Sequence, residues 1–158
     1  MQVGAPVPQQ PDYVNAELRR LPVLLHRTRE AFSAHFRSVF LENDLTDPQW
    51  RILQLIQKHP EMDISELSRR SFLLGPSLSR ILRDLTERGL IERHPDPKDA
   101  RRAFHSLTAA GQAQIDKVLP CFDPIYADLD GRLDRDQVRE LNARLESLLA
   151  VLRPDSVD

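Results

Sequence analysis

Apolar residues recur three or four apart from Asp12 onward, with Leu18, Leu21, Leu25, Phe32, Phe36 and Val39 forming one stripe of an amphipathic helix. Pro22 interrupts the stripe, and proline suits the first turn of a helix, so the pattern predicts a short piece ending near Arg20 and a long helix from about Pro22 to Glu42. Thr46-Asp47-Pro48 reads as a cap with proline in the first turn; Trp50, Leu53 and Ile56 carry that helix to Lys58, and His59-Pro60 stops it. Asp63, with Glu66 three residues on, opens a helix of about two turns through Ile64, Leu67 and Ser68. After Ser71–Pro76 the helical spacing resumes with Leu78, Ile81, Leu82 and Leu85 on one face, and Gly89 ends it. Two short helices joined by a tight turn have the proportions of a helix-turn-helix.

Beyond Gly89 the period changes. Residues 90–94 and 103–107 are short mixed runs on either side of the turn-rich, charged segment 95–102, which predicts a β-hairpin with a basic tip. Thr108 caps a further helix carrying Ile115, Val118, Leu119, Phe122, Ile125 and Leu129, with a kink expected at Pro120 or Pro124. Asp134 begins the last helix, where Val138, Leu141, Leu145, Leu148 and Leu152 form a seam suited to a partner helix. Residues 1–12 and 154–158 read as polar, proline-bearing tails.

Composition narrows the function classes. The 158 residues, 41% hydrophobic, make one ordinary globular domain. No apolar run approaches the roughly 20 residues of a membrane span, and the N-terminus lacks the basic start and apolar core of a signal peptide. A single cysteine, Cys121, excludes an internal disulfide and fits a reducing cytoplasm. The five histidines show no ligand spacing, and neither a phosphate-binding glycine loop nor a nucleophile elbow is present, so no metal, cofactor or enzymatic activity is expected.

The net charge of −2 argues against a nucleic-acid partner until it is divided by segment. Residues 69–102 hold nine Lys or Arg against five Asp or Glu, a local net of +4; the other 13 basic and 19 acidic residues leave −6 elsewhere. The basic stretch coincides with the second helix of the helix-turn-helix and the hairpin. Ser77, Ser79, Arg80 and Arg83 fall on the open face of that helix, where arginine can bond guanine bidentately and serine can reach phosphate or base. Lys98, Arg101 and Arg102 form a protrusion suited to the minor groove, with Asp99 pairing Arg101 or Arg102 to fix the loop. The competing readings are a solvated basic face, or a winged-helix interaction module that binds an acidic protein partner.

The blocks LTDPQWRIL, ISELSRR, SLSRILRDLTERGLIER, the wing DPKDARR and the following SLTAAG resemble the MarR family of bacterial winged-helix regulators from about Leu45 to Gly111. LPVLLHRTREAF and LLGPSLSRILRDL look most like the subgroup containing the homoprotocatechuate-pathway repressor. Lys98 departs from the arginine usual there, keeping the charge without the planar fork. The resemblance implies a mainly α fold with a small β-hairpin wing: dimerisation helices over residues 13–44 and 108–153 flank a winged helix-turn-helix at 45–107. It implies a homodimer on a palindromic double-stranded DNA operator, repressing an aromatic-acid catabolic operon and released by a small aromatic carboxylate. Arg20, His26 and Trp50 are the candidate effector contacts, for carboxylate, phenol and ring respectively; each also has an ordinary reading as surface ion pair, satisfied histidine or core tryptophan. Cys121 lies late in the chain, unlike the N-terminal cysteines of peroxide-sensing members, and reads as a small buried apolar residue.

Overall fold

The computed structural model describes residues 16–60, 62–95 and 103–152, and the chain divides into two units, Met1–Arg37 and Ser38–Asp158. In the first unit the helix α1 (Ala16–Ala34) runs straight through Pro22, so the expected short first piece and the restart at Pro22 do not occur. Pro22 removes one backbone donor within an exposed helix, which the remaining turns tolerate. The interruption comes later, where His35 and Phe36 donate to the carbonyls of Phe32 and Ser33, tightening the last turn, and α2 (Arg37–Glu42) begins anew.

The second unit is built around α3 (Asp47–Lys58), which packs against α4 (Ile64–Ser71), α5 (Gly75–Glu87), α6 (Ala109–Val118) and the second strand of a hairpin, β1 (Ile91–Pro95) and β2 (Ala103–Leu107). Thr46 caps α3 in a full capping box: its hydroxyl accepts from the Gln49 N–H and the Gln49 side chain accepts from the Thr46 N–H. Ile52, Leu53 and Ile56 are fully buried and meet Leu67, Leu78, Leu85, Ile91, Ile115 and Val118 in the core. Asp63 caps α4 by accepting from the Glu66 N–H at 2.8 Å, as the spacing predicts. The Glu66 carboxylate turns instead to Arg69 and Arg70.

The hairpin is antiparallel, with Ile91 opposite Leu107 and Pro95 opposite Ala103, and Asp63 forms a bridge to Phe104 on its outer side. Thr108 caps α6; a 3-10 turn at Leu119–Phe122 follows where Pro120 was expected to kink it, then α7 (Asp123–Arg132) and α8 (Arg135–Leu152). Cys121 sits in the 3-10 turn, partly exposed rather than buried, its thiol donating to the Lys117 carbonyl. Neither α1 nor α8 contains a buried residue, although Leu18, Val23, Leu24, Phe32, Leu141, Val151 and Leu152 lie on them. The N-terminal stripe is therefore split: Phe36 and Val39 are buried while Leu18, Leu25 and Phe32 are exposed. No helix among the described residues is long and apolar enough to cross a membrane.

One junction ties the second helix of the helix-turn-helix to the hairpin and to α6. Helix α5 ends in a Schellman motif, with Leu90 N–H donating to the Leu85 carbonyl, Gly89 N–H to the Thr86 carbonyl, and Gly89 at φ 68°. The Leu90 carbonyl then accepts from the Thr108 N–H at 3.1 Å and the Thr108 hydroxyl at 3.2 Å, while the same hydroxyl reaches the Gly89 carbonyl at 2.7 Å. Gly111 passes so close that a Cβ would stand 1.9 Å from the Leu90 oxygen. The threonine and the glycine of SLTAAG are thus one device, a pair of hydrogen bonds to the Leu90 carbonyl and the clearance that permits them.

Two stability predictions arise here. Gly111→Ala forces a backbone shift at this junction and should cost about 1–3 kcal/mol, a fall in Tm of several degrees in thermal denaturation; an unchanged Tm would refute the role given to Gly111. His105, 4% exposed on β2, has no partner for Nδ1, and burial, with Arg93 and His94 nearby, lowers its pKa below the usual histidine value. The unfolded chain therefore binds a proton that the folded chain refuses: stability should be full above about pH 6.5 and fall as the pH drops below it, toward the lowered folded value. His105→Leu removes both the orphaned nitrogen and this proton linkage. Urea midpoints at pH 7.5 and 5.5 should lie closer together in the variant than in the wild type, and equal separations would discard the assignment.

Candidate nucleic-acid interface

Helix α5 presents two opposite faces. Leu78, Leu82 and Leu85 are buried beneath it, while Ser77, Ser79, Arg80 and Arg83 are exposed, as the spacing predicts. Its position is set by α3 at both ends. Gln49 donates to the Asp84 carboxylate at 2.7 Å, and Arg51 donates to the Ser71 carbonyl at 3.1 Å, holding the turn that precedes α5. At the far end Arg88 donates to the Asp44 carbonyl at 2.7 Å, with the Asp84 carboxylate 3.6 Å away. Asp44 adopts φ 51° in the turn after α2, a conformation aspartate tolerates.

These pairings sort the basic stretch. Arg69 and Arg70 share the Glu66 carboxylate, whose pKa the two guanidiniums hold down to about 2, so it remains ionised across the physiological range. Arg88 is engaged with Asp44 and Asp84. Arg80 and Arg83 have no ion-pair or hydrogen-bond partner among the described residues. Within the described part of the basic stretch, the cations with no such partner are thus Arg80 and Arg83 on the outward face of α5 and the exposed Arg93 on β1, an arrangement that leaves their donors available to an external anion. Lys98, Asp99, Arg101 and Arg102 lie outside the described residues. The strands leading to them are in place, with His94 stacked on Phe104 at 5.2 Å and its Nε2 2.8 Å from the Ser106 hydroxyl.

The effector candidates separate. Arg20 is exposed on α1 and paired with Glu17 at 3.0 Å; His26 is exposed on the same helix. Trp50, 5% exposed, packs edge-on against Phe122 at 5.2 Å, with Phe40 on the other contact of that ring at 5.7 Å. The tryptophan is a member of the core of the second unit. No group of three or more His, Cys, Asp or Glu among the described residues could hold a metal ion.

Comparison with known proteins decides the family. The MarR family model matches residues 43–102, which hold the helix-turn-helix and the first strand of the hairpin. The homoprotocatechuate degradative operon repressor of Escherichia coli is 30% identical over 131 residues, covering 83% of this chain and 88% of that protein. The chain belongs to the MarR family. The MarR fold extends through the terminal helices: the solved structure of NadR in complex with 4-hydroxyphenylacetate has a TM-score of 0.70 at 30% identity, covering 90% of this chain and 97% of that one. A mutant MarR from Escherichia coli complexed with operator DNA has a TM-score of 0.77 at 25% identity, covering 84% of this chain and 96% of that one. As a MarR-family member the chain is a transcriptional regulator with a DNA-binding winged helix, and not an enzyme.

The sequence did not reveal the clamps from α3. Gln49, Arg51 and Asp84 position α5 through side-chain bonds, and their only signal in the sequence was that polar residues stand at half-buried positions beside an apolar stripe.

Proposed function

We propose that this MarR-family chain is a cytoplasmic homodimeric repressor that binds a palindromic operator and is released by a small aromatic carboxylate. The observation that carries the reading is the pair of unengaged arginines, Arg80 and Arg83, on the outward face of a helix whose other face is fully buried. Such a helix fits the major groove with its exposed side chains toward base edges. Residues 45–107 act as the DNA-binding domain. Ser77, Ser79, Arg80 and Arg83 face the major groove; Lys98, Arg101 and Arg102 engage the minor groove or backbone, with Asp99 fixing the wing.

The dimer is argued from the terminal helices. Apolar side chains on α1 and α8 that no residue of the same chain buries are stable in water only against another surface, and the seam of Val138, Leu141, Leu145, Leu148 and Leu152 has coiled-coil spacing. Residues 13–44 and 108–153 therefore serve dimerisation. Two-fold symmetry then sets two recognition helices about one DNA turn apart.

The effector class is supported by the relatives: one represses homoprotocatechuate degradation, and another was solved with 4-hydroxyphenylacetate. Arg20 is assigned the carboxylate and His26 a phenol or ring nitrogen; Trp50, packed in the core against Phe122, takes no ligand contact. An effector that binds the DNA-incompetent arrangement more tightly shifts the population away from the operator, and a preference of a few kcal/mol suffices.

Two experiments test this. Gel shifts on an operator selected from random duplexes should show Arg80→Ala costing about 1–3 kcal/mol, and Arg101→Ala weakening all sequences alike with a shallower salt dependence. Unchanged affinity in both variants would refute the DNA assignment, and DNA binding without sequence preference, beside tight binding of an acidic protein, would favour the interaction module. In thermal scans, hydroxyphenylacetate, protocatechuate or hydroxynicotinate at 100 times its Kd should add about 2.7 kcal/mol of stability and dissociate the DNA complex. If none of the three does either, the aromatic-acid reading fails.

A further inference from the structure

The turn leading into the recognition helix breaks local rules at three points. Phe72 closes α4 in the left-handed region at φ 55°, where an aromatic residue is uncommon. Its side chain is 79% exposed, and so is that of Leu74. Leu74 also occupies the N-cap of α5 with no side-chain hydrogen bond, whereas Thr46, Asp63 and Thr108 cap their helices and the Asp134 carboxylate accepts from the Gln137 N–H. Each feature disfavours the folded chain on its own: strained backbone, apolar surface left in water, a helix start without its cap.

The turn is nonetheless held firmly. The Ser68 hydroxyl donates to the Leu73 carbonyl at 2.7 Å, the Ser71 hydroxyl to the Ser68 carbonyl at 3.4 Å, and Arg51 to the Ser71 carbonyl from α3. Two large apolar side chains are thus kept in water on a fixed backbone. They stand immediately before the recognition helix, whose outward Arg80 and Arg83 follow them along the chain. An apolar patch beside available cations matches the DNA major groove, which offers thymine 5-methyl groups on its floor and phosphates along its edges.

We infer that Phe72 and Leu74 read thymine methyl groups of the operator, as specificity-determining residues outside the recognition helix. The inference rests on the proposed DNA binding and adds apolar contacts to the arginine contacts of α5. Neither side chain carries a hydrogen-bonding group, so the contribution comes from covering methyls rather than from bonding base edges.

The test uses the full-length protein and the duplex that the wild type selects from a random-sequence pool. Replacing thymines one at a time by deoxyuridine removes only the methyl group. One or two positions in each half-site should then weaken wild-type binding about fourfold each, the equivalent of burying one methyl at about 0.8 kcal/mol. Phe72→Asn suits the left-handed backbone better, and Leu74→Ser restores a capping side chain, so both variants should keep or raise Tm. Each should lose the deoxyuridine effect at its own position while retaining the Arg80 dependence. Deoxyuridine effects that are absent in the wild type, or that persist unchanged in both variants, overturn the inference. So does a shift of either variant from dimer to monomer in sedimentation, which would assign the patch to a second copy of the chain. Failure of the wild type to select any sequence overturns the DNA reading itself, a result distinct from Arg80-dependent binding with an unaltered methyl pattern.

Discussion

The carbonyl of Leu90 is the point on which the DNA-binding unit is assembled. It lies one residue after the glycine that ends the recognition helix and one residue before the first strand of the hairpin, and it accepts two hydrogen bonds from Thr108 at the start of α6. Three elements with separate tasks therefore share one backbone atom. Shifting that atom would move the recognition helix and the wing together relative to α6, because hydrogen bonds hold the chain on either side and the contact with Gly111 leaves no clearance. A rigid junction here gives helix and wing a fixed mutual geometry, which a reader of two adjacent grooves requires.

The same economy governs the charges. A chain that binds a polyanion needs cations, but cations in proximity repel one another and lower stability. Here the arginines that serve the fold are paired internally: Arg69 and Arg70 with Glu66, Arg88 with Asp44 and Asp84, Arg51 beside Asp47. The described arginines of that stretch left over are Arg80 and Arg83 on the outward face of α5 and Arg93 on β1. Pairing is therefore what converts a broadly basic stretch into a directed surface, and the overall charge of −2 says little about it.

Much of this was legible in the sequence wherever structure is decided within a few residues. Thr46, Asp63, Thr108 and Asp134 cap helices where the pattern places them, the second hairpin strand has the expected limits while the first is shifted by one residue to Ile91–Pro95, and Pro120 marks a 3-10 break. Pro22 misled because a proline removes one donor and hinders the preceding turn, yet a long exposed helix can absorb that loss; the actual break at His35 and Phe36 carries neither proline nor glycine. The clamps from Gln49 and Arg51 depend on residues 20 and 35 positions away, and no local rule reports them. Trp50 likewise looked available for a ligand because its partner, Phe122, lies on a distant segment.

What local rules could not supply, their violations do. Among the described residues that fit their surroundings poorly, Phe72 in a left-handed turn, Leu74 at an apolar cap and His105 with a buried unpaired nitrogen lie on the two elements that flank the recognition helix, its leading turn and the hairpin behind it. Ile52, Leu53, Leu67 and Val118 are by contrast fully buried apolar residues. A sequence shaped by folding alone would place a polar cap at 74, a left-handed-tolerant residue at 72 and an aliphatic one at 105. Three departures beside one helix are what a constraint acting on that helix from outside the chain would produce. For Phe72 and Leu74 the constraint is met by a surface that they touch. For His105, which touches no solvent, it can act only through the conformation of the wing. The two kinds of departure therefore separate what the regulator contacts from how it holds its shape, and a stability gain from repairing one need not carry the functional cost of repairing the other.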